Sequence, residues 1–112
     1  MDNNILQRIG ELGIVPVVKL DRAEDAVPLG RALLEGDLPI AEVTFRTDAA
    51  EESIKALSKE LPELLVGAGT VLTKEQVRRA VDAGAKFIVT PGFNPSVVDY
   101  CVENHIPITP GI

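Results

Sequence analysis

Short apolar runs and amphipathic stretches alternate along the chain. The runs predict five strands, at residues 14–20, 40–46, 64–68, 87–89 and 106–109. The amphipathic stretches predict helices at residues 4–12, 23–35, 49–61, 74–83 and 95–104. Helices that alternate with strands in this way are typical of a parallel sheet built from βα units.

Residues that start or end helices lie at several of these boundaries. Thr73 followed by Gln76 forms a capping box before the helix at 74–83, and Gly84 is a typical helix end. Asn94 and Pro95 are a favourable N-cap and first-position pair for the last helix. The boundaries therefore agree with the periodicity.

The strand predicted at residues 40–46 carries polar chemistry on one face. Alternation places Glu42, Thr44 and Arg46 on that face, and the positions between them are apolar. Because amphipathic stretches flank the strand on both sides, both of its faces are predicted to be covered. A carboxylate and a guanidinium inside a covered sheet need a partner or a ligand. The pattern alone leaves two interpretations open, a buried ion-pair network or a functional site.

Two architectures accept this series of βα units, the open doubly wound sheet and the (β/α)8 barrel. A doubly wound sheet would favour a Gly-x-Gly-x-x-Gly turn after its first strand, and the Lys-Leu-Asp-Arg sequence at residues 19–22 has no glycine. A full barrel needs at least roughly 200 residues. The 112-residue chain is therefore predicted to be an α/β protein that supplies about five strands of a parallel (β/α)8 TIM-barrel type fold.

Composition and charge restrict the partners. The chain is 46% hydrophobic and 25% charged, which is typical of a single soluble globular domain. Its formal net charge of -6 argues against nucleic acid, so an anionic substrate would have to be held by a few well-placed cations. No apolar run approaches the roughly 18 residues that span a bilayer, and the N-terminus lacks a basic region followed by a hydrophobic core. We therefore expect no membrane association and a cytoplasmic location.

Few single residues suggest further chemistry. Cys101 is the only cysteine, which excludes an intrachain disulfide and a cysteine-based metal cluster, and we expect it to be a buried helix residue. His105 is the only histidine and the carboxylates are dispersed, so no metal-ligand spacing is recognisable. We predict neither a metal nor a cofactor.

Four motifs follow one another along the chain. They are Glu-Val-Thr-Phe-Arg at residues 42–46, Val-Gly-Ala-Gly-Thr-Val-Leu at 66–72, Thr-Pro-Gly at 90–92 and Ile-Thr-Pro-Gly-Ile at 108–112. With these motifs the chain resembles the 2-keto-3-deoxy-6-phosphogluconate (KDPG) aldolase family, which also includes the 4-hydroxy-2-oxoglutarate (KHG) aldolases. The resemblance implies a class I aldolase, in which a Schiff base assists cleavage into pyruvate and an aldehyde. It also implies that residues 1–112 are the N-terminal portion of a single (β/α)8 barrel.

The resemblance assigns roles to four residues. Glu42 is implied to be the general acid and base that moves protons, through water, during carbon–carbon cleavage and enamine protonation. Arg46 matches the residue that holds the carboxylate of the pyruvyl group, Thr70 is implied to contact the same carboxylate, and Pro91 to line the pyruvate pocket. For Thr70 and Pro91 a purely structural turn remains an alternative, because Gly-x-Gly and Pro-Gly sequences are common in turns.

Other parts of the family's site are expected outside this chain. The resemblance places the Schiff-base lysine on the sixth strand and the phosphate-binding loops after the seventh and eighth, and it implies a homotrimer. We therefore expect the isolated chain not to turn over. A second interpretation is a noncatalytic half-barrel that associates with itself or with a complementary C-terminal fragment. A third, a related phosphate-binding isomerase, is disfavoured because the motifs at 42–46 and 67–70 occur together.

Two lysines and the histidine need an assignment. Lys19 ends the first predicted strand and could form an imine if it were desolvated, or could attract anionic substrate as a cation. Lys86 lies at the start of the fourth predicted strand and His105 precedes the fifth, so both should lie at the opposite end of the sheet, the stability face of a barrel, and Lys86 is excluded as the nucleophile. We favour the cation interpretation for Lys19 and a surface or capping position for His105.

Overall fold

Five parallel strands form one sheet in the order in which they occur along the chain. The computed structural model describes residues 3–112, and its strands are β1 Val17–Val18, β2 Ile40–Thr44, β3 Leu65–Gly69, β4 Ile88–Thr90 and β5 Ile108–Pro110. A doubly wound sheet reverses its strand order at a switch point, whereas the order here is β1-β2-β3-β4-β5 without reversal. The predicted α/β class and the barrel-type winding are confirmed for these five strands.

The helices follow one another in the same order. They are α1 Asn3–Leu12, α2 Ala26–Glu35, α3 Ala50–Glu60, α4 Lys74–Ala83 and α5 Pro95–Glu103. Each of α2, α3 and α4 packs against the next helix along the chain. The described helices are all too short and insufficiently apolar to cross a membrane. Because successive helices are neighbours, α2 to α5 cover the same face of the sheet.

The hydrophobic core lies between these helices and the sheet. Val43, Ala68 and Ile88 are register partners on three adjacent strands, and all are completely buried in the core cluster. The alternate residues point to the opposite face, which we call the inner face because it lies inside a closed barrel. There, Glu42 is the register partner of Val17 on one side and of Gly67 on the other.

Helix α1 occupies one end of the sheet. Its residue Ile5 lines two surface clefts, one with Lys86 and Pro107 and the other with Leu65. These partners precede or begin strands, so α1 covers the N-terminal end of the sheet. The C-terminal ends of the strands remain open, as they do around the active sites of barrel enzymes.

The second strand is shorter than predicted. It ends at Thr44, and Phe45 and Arg46 lie in a turn, so the predicted strand at residues 40–46 is two residues too long. The Thr47 hydroxyl donates a hydrogen bond to the Leu20 carbonyl, and it accepts one from the Ala49 N–H at 3.2 Å. These bonds turn the chain towards α3, which periodicity alone cannot reveal.

The other strands differ from prediction at their ends. The strand predicted at 14–20 is reduced to Val17–Val18, the two residues that pair with β2. The remaining three begin one or two residues later than predicted. Leu64 and Ile106 are apolar residues in turns before strands: their N–H groups donate to the carbonyls of Leu61 and Cys101. The hydrophobic run in the sequence therefore begins before the residues that pair with a neighbouring strand.

The helix boundaries are predicted more closely. The α4 helix has the predicted bounds, and the Thr73 hydroxyl accepts a hydrogen bond from the Gln76 N–H at 3.1 Å. Asn94 caps α5 through the Ser96 N–H at 3.0 Å. Where the pattern predicts one helix at 23–35, a 3-10 turn at Ala23–Asp25 precedes α2.

Candidate functional site

Of the four residues singled out from the sequence, three lie just beyond the C-terminal ends of adjacent strands, and Glu42 lies in the middle of the first of these strands. Glu42 belongs to β2 and Arg46 to the turn that follows it, whereas Thr70 and Pro91 are the first residues after β3 and β4. Since β2, β3 and β4 are neighbours in the sheet, these residues share one edge. Catalytic groups of (β/α)8 enzymes gather at this edge.

Glu42 is a buried carboxyl group on the inner face. The residue is 7% exposed, although the sheet has no opposing wall in residues 3–112. Burial raises the pKa of the Glu42 carboxyl above its ordinary value, and the Arg46 guanidinium acts in the opposite direction more weakly. The carboxyl group therefore keeps its proton more readily than an exposed glutamate, which is the property that a general acid requires.

Arg46 lies outside the strand and is exposed. The structure thus corrects the prediction that it continues the alternation of a covered strand. Within residues 3–112 no carboxylate forms an ion pair with Arg46, and its interaction with Glu42 is a longer-range attraction. A buried ion-pair network between Glu42 and Arg46 is therefore not formed. The guanidinium borders a cleft of about 240 Å³ and can bind an anion there.

An ion pair on the neighbouring helices supports this turn. Arg79 of α4 lies with its Nε 2.6 Å from Oε1 of Glu51 on α3, and its guanidinium is 5.8 Å from the centre of the Phe45 ring. The Phe45 N–H donates to the Gly69 carbonyl at 2.8 Å. Phe45, the residue before Arg46, is thereby held by its side chain against Arg79 and by its backbone against β3. The sequence offered no local signal for Arg79, because it lies on an exposed helix position far along the chain.

Two glycines of β3 make room for side chains from the adjacent strands. A Cβ at Gly67 would lie 2.5 Å from Cδ2 of Phe87, and one at Gly69 would lie 2.6 Å from Cδ of Glu42. Glycines after a strand can allow backbone amides to approach a ligand. The structure shows a second reason for them. The spacing in the sequence could have indicated this second reason, since Gly67 and Gly69 are two residues apart and therefore share the inner face.

Thr70 and Pro91 form the turns after β3 and β4. Thr70 has a φ of 53°, a left-handed backbone conformation that is unusual for a β-branched residue and often marks functional sites. Pro91 is exposed and borders a cleft of about 200 Å³ with Leu72 and Phe93. A Cβ at Gly111 would lie 2.6 Å from the Pro91 carbonyl carbon, so the ends of β4 and β5 pack closely. Both residues are thus at the edge where a substrate can reach them.

Lys19, Lys86 and His105 lie where the sequence places them. Lys19 follows β1, is 55% exposed and forms an ion pair with Asp21 at 3.6 Å. An imine-forming lysine needs desolvation, so the structure favours the cation interpretation. Lys86 and His105 are exposed near the N-terminal ends of β4 and β5.

The remaining candidate groups are structural. Cys101 is fully buried in the core, and burial raises the pKa of its thiol. In the described part of the chain, no three or more His, Cys, Asp or Glu side chains are grouped as metal ligands. The candidates for chemistry at the C-terminal ends of the strands are therefore Glu42, Arg46, Thr70 and Pro91.

Comparison with known proteins agrees with this geometry. The family model for KDPG and KHG aldolase matches residues 5–112. The 2-dehydro-3-deoxy-phosphogluconate aldolase of Treponema pallidum is 52% identical over 108 residues, which are 96% of this chain and 51% of that protein. The KHG/KDPG aldolase of Escherichia coli K12 is 42% identical over 99 residues, or 88% of this chain and 46% of that protein. The chain spans about half the length of these curated relatives.

Solved structures show the same similarity. The KDPG aldolase of Legionella pneumophila, with pyruvate captured as a covalent carbinolamine intermediate, has a TM-score of 0.84 and 38% identity, over 88% of this chain and 48% of that one. The corresponding aldolase of Zymomonas mobilis has a TM-score of 0.83 and 39% identity, over 88% of this chain and 47% of that one. The chain therefore belongs to the KDPG and KHG aldolase family.

Proposed function

We propose that the complete protein containing this chain is a class I aldolase that cleaves KDPG or KHG into pyruvate and an aldehyde. The observation that carries the proposal is the Glu42 carboxyl group, which is buried on the inner face of β2, has a raised pKa and reaches Gly69 at the C-terminal end of β3. The names of the relatives support both substrates, since the E. coli protein is a KHG/KDPG aldolase. Residues 1–112 then form the first part of one barrel.

The reaction requires proton transfers that one carboxyl group can perform by giving up its proton in one step and taking up a proton in the next. A lysine amine adds to the keto carbon and loses water, which gives an imine. A base then removes the proton of the substrate hydroxyl, the carbon–carbon bond breaks, and its electron pair moves to the imine to form an enamine. Protonation of the enamine carbon and addition of water release pyruvate and restore the amine. Glu42, acting through water, takes up and returns these protons in our proposal.

The amine comes from outside residues 1–112 in this proposal. Lys19 directly follows β1, and its side chain is exposed and paired with Asp21. Family resemblance assigns the imine to a lysine on the sixth strand. The pyruvate carbinolamine captured in the L. pneumophila aldolase supports covalent chemistry of this kind.

The other site residues would bind the keto acid. Arg46 would form a two-pronged contact with the pyruvyl carboxylate, for which a planar guanidinium is well suited. Thr70 would donate its hydroxyl to the same carboxylate, and Pro91 would line the pocket. We also propose, by family resemblance, that the complete protein is a cytoplasmic homotrimer.

Kinetics of two variants test the site assignment in a complete aldolase chain that contains residues 1–112. We expect Glu42→Gln to lower kcat by about 10² to 10⁴-fold, because a general acid–base group is lost. We expect Arg46→Ala to act mainly by raising KM, because the carboxylate loses its cation. The exposed residues Glu52 and Arg78 provide matched controls as Glu52→Gln and Arg78→Ala, with unchanged kinetics. Parent-like kinetics in both site variants would contradict the assignment.

A second candidate function is a noncatalytic half-barrel that binds itself or a complementary C-terminal segment. The observation in its favour is the open inner face, where Val17 is 60% exposed on the edge strand β1. Reductive trapping tests whether the imine-forming amine lies outside residues 1–112. Incubation of the 112-residue chain with pyruvate and borohydride should give no stoichiometric lysine adduct, whereas the complete aldolase should give one. A full-yield adduct at Lys19 would identify that residue as the nucleophile and overturn the assignment.

A further inference from the structure

Gly69 is not required by its backbone conformation. Its φ is not positive, in contrast to Gly13 and Gly84, so an L-amino acid could adopt the same conformation. Gly69 is also the last residue of β3, where it offers no side chain to pack against the neighbouring strands. The space around it must therefore explain its presence.

The Glu42 side chain fills that space. A Cβ at position 69 would lie 2.6 Å from Cδ of Glu42 and 2.9 Å from its Cγ, and still closer to Oε2. The register pairs Glu42 with Gly67, and Gly69 with Thr44. The carboxyl group thus crosses from β2 to β3 and extends towards the C-terminal ends of the strands.

The residues around Glu42 leave the space at Gly69 open to its carboxyl group. The Thr44 hydroxyl donates to the Val18 carbonyl at 3.2 Å, on the side of β1 and away from β3. The Phe87 ring occupies the position that a side chain at 67 would take, next to Glu42 in the sheet. The Gly69 carbonyl accepts the Phe45 N–H at 2.8 Å, which fixes the backbone against a shift. Since the atoms in conflict with an added methyl group all belong to the flexible Glu42 side chain, we expect that side chain to move and the strand to stay in place.

We propose that Gly69 is a positioning residue for Glu42: the missing side chain at position 69 admits the carboxyl group onto β3 and keeps it out of water at the C-terminal edge. The inference rests on the proposed acid–base role of Glu42. It assigns no contact between Gly69 and substrate. It also gives Gly69 a different role from Gly67, where the space of the missing side chain is filled by the apolar ring of Phe87.

The variant Gly69→Ala tests this role in the complete aldolase. The methyl group forces the carboxyl group out towards solvent, where it loses its proton more readily. We expect kcat to fall by at least about 10-fold and by no more than in Glu42→Gln, with KM changed less than kcat. The limb of the kcat–pH profile that reports Glu42 should move to lower pH. The control is Gly10→Ala on α1, where nothing lies within 4 Å of the added Cβ and no change is expected.

A double-mutant cycle separates positioning from a general structural effect. In the Glu42→Gln background, Gly69→Ala should cause little further loss of kcat, because the group on which it acts no longer transfers protons. Equal losses in the two backgrounds would overturn the inference. If Gly69→Ala fails to fold, the variant Glu42→Ala/Gly69→Ala decides: recovery of the fold supports the steric conflict with the carboxyl group, and continued unfolding contradicts it.

NMR titration of the Glu42 side-chain carboxyl distinguishes failure of this inference from failure of the proposed function. Normal turnover of Glu42→Gln would reject the acid–base role, while a lower carboxyl pKa in Gly69→Ala than in the parent would still show that residue 69 positions the group. A pKa unchanged by Gly69→Ala would overturn the inference, even if Glu42→Gln is inactive.

Discussion

At the scale of the residue, Glu42 combines burial with a weak attraction to Arg46. Burial is the larger influence and raises the pKa of its carboxyl group. A close ion pair with Arg46 would have had the opposite effect and would have kept the carboxylate ionised. The exposed position of Arg46 therefore allows Glu42 to hold a proton and leaves the guanidinium accessible to an anion. Burial of an ionisable group costs stability, as is common at functional sites.

This cost predicts how stability depends on pH. Because Glu42 binds its proton more tightly in the folded state, folding takes up a proton between the ordinary value of 4.5 and the raised pKa. The contribution of Glu42 to the free energy of unfolding therefore decreases as pH rises through that window. We expect the complete protein with Glu42→Gln to gain stability relative to the parent over the same range, as measured by denaturant unfolding at a series of pH values. Parallel curves for parent and variant would contradict this expectation, and Glu52→Gln serves as the control.

At the scale of the element, α4 shows how local signals define a helix. The Thr73 hydroxyl caps its first turn, and Gln76 accepts a hydrogen bond from the Leu72 N–H at 2.7 Å. At the other end, Gly84 has a φ of 118° and donates to the carbonyls of Ala80 and Val81. Correct placement of α4 matters for the site, because its residue Arg79 contacts Phe45 in the turn that carries Arg46.

Substitution of Gly84 should destabilise the protein. A Cβ at this position would lie 2.5 Å from Cβ of Ser58 on α3, in addition to the strain of a left-handed alanine. We expect Gly84→Ala to lower the free energy of unfolding by about 1 to 3 kcal/mol, as measured by chemical denaturation. By contrast, Gly10→Ala replaces a glycine within a helix and should raise it by about 0.5 to 1 kcal/mol. Equal free energies of unfolding for Gly84→Ala and the parent would contradict this prediction, and would show that α3 and α4 move apart at little cost.

At the scale of the whole molecule, the sheet is open. Strands β1 and β5 each pair on one side only among the described residues, and a closed barrel has no such edges. The inner face also exposes apolar surface at Val17. Open edges and exposed apolar surface both favour association.

We therefore expect the isolated 112-residue chain not to be a well-folded monomer. Analytical ultracentrifugation should show oligomers or aggregates, or else a loosely packed state that binds a hydrophobic dye. Addition of the complementary C-terminal segment of the barrel should restore a compact species together with aldolase activity. A compact monomer of 12.0 kDa that unfolds cooperatively would contradict this prediction and favour a self-sufficient open sheet.

The sequence by itself determined the alternation of strands and helices, because hydrophobic period and capping residues act over a few positions. It also predicted candidate site residues at the second, third and fourth strands, since the motifs lie in or directly after those strands. Thr73 and Gly84 show how closely local signals define boundaries. The ends of the strands were less predictable. Phe45 and Arg46 continue the alternating pattern of the sequence, but β2 ends at Thr44 and the hydrogen bonds of Thr47 turn the chain away from the sheet.

Only the tertiary structure decided how the side chains share space. Alternation placed Glu42 and Arg46 on one face, yet whether they pair depends on where the strand ends. The same holds for Gly69, whose role depends on a side chain 27 positions earlier that β2–β3 pairing brings onto β3. Arg79 likewise meets Phe45 only because α3 and α4 pack together. Such contacts join residues that are distant in the chain, so no local pattern records them.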